Sequence, residues 1–248
     1  MKTSNKLVVA ALVVVLVSLV AYDYLLKAAF VSGKYKDPYY SFVSLKNTGF
    51  DTVDIVSSTV ANVKFIQGPF SVRIDSTALA YVQVKQTGKR LQINAVFENN
   101  YLYNHNPYVM VISCPKLLEI STDANYLVNG KQITDSIAKE DWRKVLIDGF
   151  KQDSLTISQD YGSTLILANN HINLIDAVIG KSLGSGSKLI IREGNQFKIA
   201  KINVFNNSNL LLNNAAIGNL DYHLADSAKL TVTGAAQNLL NQTKPQQK

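Results

Sequence analysis

The C-terminal half of this chain repeats a short apolar pattern, and the repeat limits the possible folds more than any other feature. Four segments share the order small-x-apolar-x-apolar, and their first residues are 24, 21 and 20 positions apart. They begin at Ser163, Ser187, Ser208 and Ala228. Each of the first three is followed by a second strand-like segment. A period near 20 that contains only strands predicts a β-solenoid, in which each turn pairs with the next.

The corners of such a coil need backbone conformations that Gly and Asn tolerate best. Three pairs of asparagines occur where corners are expected, at Asn169-Asn170, Asn206-Asn207 and Asn213-Asn214. The columns of Leu, Ile and Val between them would face inward, because one turn cannot bury its own apolar side chains. The sequence thus predicts an all-β head domain with a core built by stacking.

The first half of the chain leaves an alternative open. Phe70–Ile74, Tyr81–Lys85 and Leu91–Val96 alternate apolar with polar residues, the two-residue period of a half-buried strand. Gly68-Pro69 and Thr87–Lys89 separate them as turns. Because these turns resemble those of hairpins, a sandwich of antiparallel strands is the competing interpretation.

The N-terminus carries an apolar run. Leu7–Tyr22 contains no charge, and extension to Leu26 gives 20 residues, or about 30 Å of helix. Lys2 and Lys6 precede the run and Asp23 follows it, a charge bias that keeps the N-terminus in the cytoplasm. We expect an uncleaved signal anchor: one transmembrane helix in the inner membrane, with the C-terminal domain periplasmic or otherwise extracytoplasmic. A cleaved signal peptide is the competing hypothesis.

These patterns divide the chain into five segments. They are a cytoplasmic N-terminus (1–6), a transmembrane signal anchor (7–26), a tether (27–50), the β-solenoid head domain (51–236) and a polar tail (237–248). The polar stretch Thr134–Lys144 interrupts the head and predicts a short helix or an excursion from the coil. It contains Trp142, which we expect to pack onto the coil as a structural plug.

Composition excludes several classes of protein. The chain has 248 residues, 47% of them hydrophobic, with 25 basic and 18 acidic residues and a net charge of +7. The basic residues are scattered singly, which argues against nucleic acid as a partner. Cys114 is the one cysteine, so no intramolecular disulfide can form, and its apolar surroundings predict a buried, inert thiol.

The sequence predicts no catalytic residue, no metal ligand and no cofactor site. His105, His171 and His223 lack metal-ligand spacing, and they are expected in a turn or at solvent-facing positions. Gly184–Ser187 lacks the spacing of a phosphate-binding loop, and its composition predicts a flexible corner. Four acids form the best available cluster for acid–base work, although Asp in a turn is ordinary: Asp148, Asp153, Asp160 and Asp176.

The order of the motifs resembles a known family. Phe65–Ile74, then Leu91–Ile93, then Asn106–Leu117 and finally the Ser-x-Leu-x-Leu repeats are similar to the head domain of autotransporter adhesins, or GIN domain. This family occurs mainly in Bacteroidetes and has no established biochemical function. The resemblance covers about residues 50 to 235. It implies a right-handed parallel β-helix and export, while the signal anchor and the segment around Trp142 depart from the family pattern.

Together these features predict a membrane-anchored, non-enzymatic β-solenoid that presents a binding or adhesion surface to envelope proteins or glycans. Two alternatives stay open at this point. One is a carbohydrate-active solenoid enzyme that processes polysaccharides with acids such as Asp148 and Asp176. The other is a self-assembling envelope scaffold, in which uncapped ends of the coil stack on one another.

Overall fold

The computed structural model describes residues 2–33, 36–98, 107–138, 143–225 and 227–240. The chain forms two compact units, residues 1–42 and residues 43–248.

The first unit consists mainly of one helix. Helix α1 spans Thr3–Val31, and its 29 residues measure about 44 Å. The stretch Thr3–Ala28 is long and apolar enough to cross a bilayer, with a mean hydropathy of 2.4. Apolar side chains are exposed on all sides of it, as Leu7 (68%) and Val20 (70%) illustrate. The predicted apolar helix is confirmed, and it extends beyond residues 7–26 at both ends.

The described residues form nineteen strands, which lie in the second unit except that β1 starts at Phe42, the last residue of the first. The first ten are β1 Phe42–Leu45, β2 Thr52–Ile55, β3 Val63–Gln67, β4 Ser71–Asp75, β5 Val82–Thr87, β6 Arg90–Phe97, β7 Met110–Cys114, β8 Glu119–Thr122, β9 Asn125–Val128 and β10 Lys131–Thr134. The other nine are β11 Val145–Asp148, β12 Lys151–Gln159, β13 Thr164–Ala168, β14 His171–Ile179, β15 Lys188–Ile191, β16 Gln196–Val204, β17 Asn209–Asn213, β18 Ala216–Leu224 and β19 Lys229–Thr233. Short 3-10 helices occupy Ala78–Ala80 and Gly234–Ala236, and α2 spans Gln237–Leu240.

The strands form two sheets. The first sheet has the order β1-β4-β7-β3-β11-β13-β15-β17-β19. The second has the order β10-β9-β6-β2-β8-β12-β14-β16-β18, with β5 paired to β6. Buried side chains from both sheets belong to one hydrophobic core, so the sheets share a single interior. The largest of these side chains include Phe50, Phe65, Phe97 and Phe150.

Both sheets are mixed, and this finding overturns the predicted right-handed parallel β-helix over residues 51–236. Strands β4 and β7, β5 and β6, and β9 and β10 pair antiparallel. Two of these pairs are hairpins with two-residue loops, and positive φ at Gly88 in one and at Asn129 and Gly130 in the other suits such loops. The fold is therefore a two-sheet mixed β domain. Of the two turns expected in the first half, Thr87–Lys89 closes a hairpin between β5 and β6. Gly68-Pro69 joins β3 to β4, which lie on opposite sides of β7 and do not pair with each other.

The internal repeat corresponds to neighbouring strands of the first sheet. Leu165, Leu189, Leu210 and Leu230 hold the same position in the four repeats and are aligned in parallel register. Asn169, Asn206 and Asn214 adopt positive φ (55°, 51° and 52°) at the turns between strands. The positions expected to need asparagine are thus confirmed, although the architecture predicted from them is not.

The C-terminal end of the core is covered by the last described segment. Ala236 and Leu239 are 0% and 7% exposed and belong to the hydrophobic core. Residues 237–240 belong to the predicted polar tail, yet Leu239 packs into the core. Residues 241–248 of that tail lie outside the described part of the chain.

Candidate functional site

A groove crosses the second sheet near the amino-terminal ends of four adjacent strands, β12, β14, β16 and β18. It consists of two recesses of about 750 and 510 Å³ that share His171 and Asn173. We call it the transverse groove. Its principal lining residues are Lys116, Leu118, Lys151, Asp153, His171, Asn173, Gln196, Phe197, Lys198, Ala216 and Asn238.

Strand register places the lining side chains in line. Lys151, His171, Gln196 and Ala216 are aligned across the four strands, and all four are exposed. Each is the first residue of its strand. The next aligned residues, Ile172, Phe197 and Ile217, turn inward to the core and form the floor. Alternation of side chains along a strand thus gives the groove a polar wall and an apolar floor.

Two buried asparagines hold the corner beneath the groove. Asn170 and Asn195 directly precede His171 and Gln196, and they are 0% and 1% exposed. The Nδ2 of Asn170 donates to Oδ1 of Asn195 (3.0 Å) and to the carbonyl oxygen of Ile147 (3.0 Å). Its Oδ1 accepts from the backbone N–H of Phe150 (2.9 Å). Because each bond satisfies a buried polar group, the strand starts are fixed relative to one another.

The end of the groove near Lys116 is held by two glutamines. Gln67 donates from Nε2 to the carbonyl oxygens of Pro115 (2.9 Å) and Lys151 (3.1 Å), and it accepts from the Lys151 N–H (3.0 Å). Gln152 accepts from the N–H of Leu117 (3.1 Å). The segment that carries Lys116 is therefore tied to the strand that carries Lys151.

The groove is basic on balance. Its described lining contains three lysines and one carboxylate, Asp153, which accepts a hydrogen bond from Nδ2 of Asn173 (2.9 Å). The lysines are Lys116, Lys151 and Lys198, and all three are exposed. Amide groups and an imidazole line the space between them. Such a surface can donate and accept hydrogen bonds and can attract an anion.

A further, smaller recess of about 350 Å³ lies on the same sheet around Arg90. The Nη1 of Arg90 contacts both carboxylate oxygens of Asp54 (2.6 and 2.7 Å), and Nη2 lies 3.6 Å from Glu119. The Asp54 carboxylate raises the pKa of Arg90. Burial raises the pKa of Asp123, which lines the same recess, and the nearby Asp160 adds to the effect. Since Arg90 is paired with its neighbours, we assign it a structural role.

The four acids singled out in the sequence do not converge. Asp148 lies in the first sheet, 3.3 Å from Nζ of Lys64, and accepts from Asn169 (2.9 Å). Asp160 accepts from the backbone N–H of Ser182 (3.1 Å) and caps that turn. Asp153 lines the groove, and Asp176 is aligned with Lys201 on β14 and β16. Within the described ranges, no three His, Cys, Asp or Glu residues are placed to hold a metal ion.

Other predicted positions have mixed outcomes. His171 and His223 are exposed, as expected, and Cys114 is fully buried. The expected burial of Cys114 is thus confirmed, and that burial raises the pKa of its thiol to about 12. His105 and Trp142 lie outside the described residues, so the expected turn and plug stay predictions. The described residues of Thr134–Lys144 contain no helix.

Three residues of the corner Gly184–Ser187 are buried, whereas Gly184 itself is exposed with open space around it. Ser185 and Ser187 are both 0% exposed. Ser187 donates from Oγ to the carbonyl oxygen of Tyr161 (2.6 Å), and its own N–H donates to Oγ of Ser208 (3.1 Å). Small hydroxyl side chains are needed at this corner because neighbouring turns approach closely.

Sequence reasoning missed Lys151, Gln196 and Lys198 as a set. Each has an ordinary exposed polar side chain, and nothing in its local pattern sets it apart. The available signal was the alignment of the repeats, since Asn170 and Asn195 precede His171 and Gln196 in the same way. That alignment places their side chains side by side only when the strands are parallel and in register.

These features define the molecule as a two-sheet mixed β protein with an N-terminal apolar helix and a basic surface groove. No family model matches the sequence, and no curated protein matches it. The GIN-domain resemblance therefore stays a prediction.

The structural comparison matches solved structures from Bacteroides and Parabacteroides. One is described as a "putative adhesin" from Bacteroides fragilis, with a TM-score of 0.42 and 11% identity over 77% of this chain and 96% of that one. A "putative lipid binding protein" from Parabacteroides distasonis has a TM-score of 0.32 and 11% identity over 78% and 94%. A "putative adhesin" from Parabacteroides merdae has a TM-score of 0.29 and 10% identity over 78% and 96%. At these TM-scores the likeness carries no functional assignment.

Proposed function

We propose that this protein is a single-pass, non-enzymatic protein of the bacterial envelope. Helix α1 is an uncleaved anchor in the inner membrane, and the β unit lies on the extracytoplasmic side, where it presents a binding surface to envelope proteins or glycans. The observation that carries the proposal is the combination of an exposed, apolar N-terminal helix with a separate compact β unit whose surface is grooved.

The charges around α1 support the orientation. Lys2 and Lys6 stand at its start, whereas Asp23 is the first charged residue after the apolar run. Because positively charged flanks are retained in the cytoplasm, the β unit follows on the other side. Residues Tyr22 and Tyr24 would lie at the far interface, where tyrosine is enriched.

The placement of the acids favours binding over catalysis. A glycosidase or lyase site needs carboxylates gathered about one substrate. Here Asp148 and Asp153 lie in different sheets, and Asp148 is paired with Lys64. Glycans remain fitting ligands, since the groove is open and lined by groups that bond to hydroxyls.

The self-assembling scaffold is less well supported than the binding role. End-to-end stacking needs an open apolar end, yet Ala236 and Leu239 cover the core at the C-terminal end. We therefore do not favour it.

The proposal is tested by chemical crosslinking in native membranes followed by affinity capture of the full chain. The control bait carries residues 1–42 fused to an unrelated soluble domain, so that partners of the helix are separated from partners of the β unit. We expect envelope proteins or glycans to be recovered only with the full chain. Extraction of the chain by a carbonate wash would refute the anchor. Release of new reducing ends from a polysaccharide, abolished by Asp148→Asn or Asp176→Asn, would establish the enzyme instead.

A further inference from the structure

We propose that the transverse groove binds a linear anionic glycan, an oligosaccharide chain that carries carboxylates and lies across strands β8 to β18. This inference rests on the proposed binding role and names the site and the ligand class. It follows from the shape of the groove, from its hydrogen-bonding groups and from the spacing of its charges.

The groove runs perpendicular to the strands and is long enough for a chain. The strands β8, β12, β14, β16 and β18 are consecutive neighbours in the second sheet. Four spacings between neighbouring strands amount to roughly 19 Å. Lys116 lies just before β8, and Asn238 of α2 lines the opposite end. An extended oligosaccharide fits this geometry better than a compact small molecule.

The side chains between the ends match the chemistry of sugars. His171, Asn173, Gln196 and Asn238 present ring nitrogens and amides, which can donate to and accept from hydroxyl groups. Ala216 and Leu118 add exposed apolar surface, against which the C–H faces of a sugar ring can pack. A mixture of this kind is typical of ligand sites that bind by several weak polar contacts.

The three lysines of the groove indicate that its ligand is an anion. Lys116 and Lys151 stand at one end of the groove and Lys198 lies on β16, so positive charge occurs at separated points along it. None of the three forms an ion pair with a described carboxylate of the chain. The one acidic lining residue, Asp153, is bonded to Asn173. Repeated carboxylates along a glycan would meet these lysines at intervals.

The end of the groove near Lys116 is also ordered in the absence of a ligand. Gln67 and Gln152 tie the segment next to Lys116 to β12 by hydrogen bonds of 2.9 to 3.1 Å. A groove whose backbone is already ordered loses less conformational entropy on binding. Gln67 thus orders the backbone at Pro115 and Lys151.

The test uses the full chain in nanodiscs of zwitterionic lipid and isothermal titration calorimetry. The probes are a short oligogalacturonate, a neutral galacto-oligosaccharide of the same length and polyglutamate. We expect the oligogalacturonate to bind at least about tenfold more tightly than either control probe. Lys151→Ala and Lys198→Ala should each weaken its binding about threefold to tenfold. The matched control is Lys201→Ala, an exposed lysine on the same strand as Lys198 but outside the groove, which should leave binding unchanged.

Several outcomes would overturn the inference. These are equal affinity for the charged and neutral oligosaccharides, equal affinity for polyglutamate, a loss with Lys201→Ala as large as with Lys198→Ala, or binding to anionic lipid vesicles without binding to the oligosaccharide. Failure here with envelope partners still captured from native membranes would leave the proposed function standing. Extraction of the chain by a carbonate wash would refute the proposed function, but it would not change the calorimetric result.

Discussion

The side-chain nitrogen of Asn170 lies 3.0 Å from the side-chain oxygen of Asn195, and both residues are almost fully buried. The pair joins the corner before β14 to the corner before β16. It therefore sets the positions of His171 and Gln196, which line the groove directly above it.

Replacement of Asn170 by alanine should destabilise the β unit by roughly 2–4 kcal/mol, because buried partners at Phe150 and Ile147 lose their hydrogen bonds. The matched control is Asn173→Ala, an exposed asparagine on the same strand, which should change stability by about 0.5 kcal/mol or less. Urea unfolding of the full chain in detergent measures both. Equal losses of stability in the two variants would show that the buried Asn170–Asn195 pair does not stabilise the β unit more than an exposed asparagine does.

Gly180 is predicted to be intolerant of a side chain. Its φ is +73°, and an added Cβ would overlap with Oγ of Ser208 and lie 2.7 Å from the carbonyl oxygen of Phe205. Gly184 has a similar φ (+79°) but open space around it. Gly180→Ala should thus cost clearly more than the roughly 1 kcal/mol expected for Gly184→Ala. Thermal unfolding of the two variants compares them, and similar melting temperatures would contradict the close approach.

The raised pKa of Asp123 predicts that the stability of the β unit depends on pH. Burial raises its pKa in the folded state, so the ionised carboxylate weakens folding. The stability that the protonated group contributes is present below the unfolded pKa of about 3.9 and is lost as pH rises through the folded pKa. Asp123→Asn removes this loss but also gives up the bond from Asn125, a constant cost of about 1 kcal/mol.

The stability of Asp123→Asn relative to the parent should therefore improve as pH rises from 3 toward neutrality in urea titrations. A relative stability that falls over this range would contradict the raised pKa. Asp153→Asn, at an exposed carboxylate, is the control for general effects of charge removal.

Cys114 should be unreactive in the folded protein. It is fully buried, and its pKa of about 12 leaves almost no thiolate at pH 8. Reaction with a thiol-specific chromogenic disulfide should be slower than in denaturant by at least about a hundredfold, the time course following unfolding. Rapid labelling of the native chain would show that β7 is not part of a closed core.

The strands and corners were predictable because their signals are local. Alternation in Leu91–Val96 and the asparagine at position 169 each act through neighbouring residues. The antiparallel pairing of β4 with β7 was not predictable, since Ile74 and Met110 are far apart in sequence. Alternation along a strand indicates which side chains face inward, but it does not indicate which strand is the neighbour. The dipeptide Asn129-Gly130 is a local sequence signal for a hairpin. The prediction of a uniform coil did not use it.

The candidate site shows the same limit. A lysine such as Lys198 is exposed, polar and locally unremarkable, and it becomes part of a groove only through the register of β14, β16 and β18. Of the predicted acids, Asp148 lies in the first sheet. Asp153 and Asp176 lie on neighbouring strands of the second sheet but at different positions along them, because Asp176 is aligned with Thr156. Sequence period gives the order of strands along a sheet; it does not give the sheet to which each belongs.

The most direct measurement of the central claim is protease accessibility of the full chain, with a C-terminal tag, in spheroplasts and in inside-out membrane vesicles. The account predicts that protease added to intact spheroplasts removes the tag and degrades the β unit, whereas the β unit in sealed inside-out vesicles is protected until detergent is added. Degradation in the vesicles with protection in the spheroplasts would contradict it, since the β unit would then face the cytoplasm.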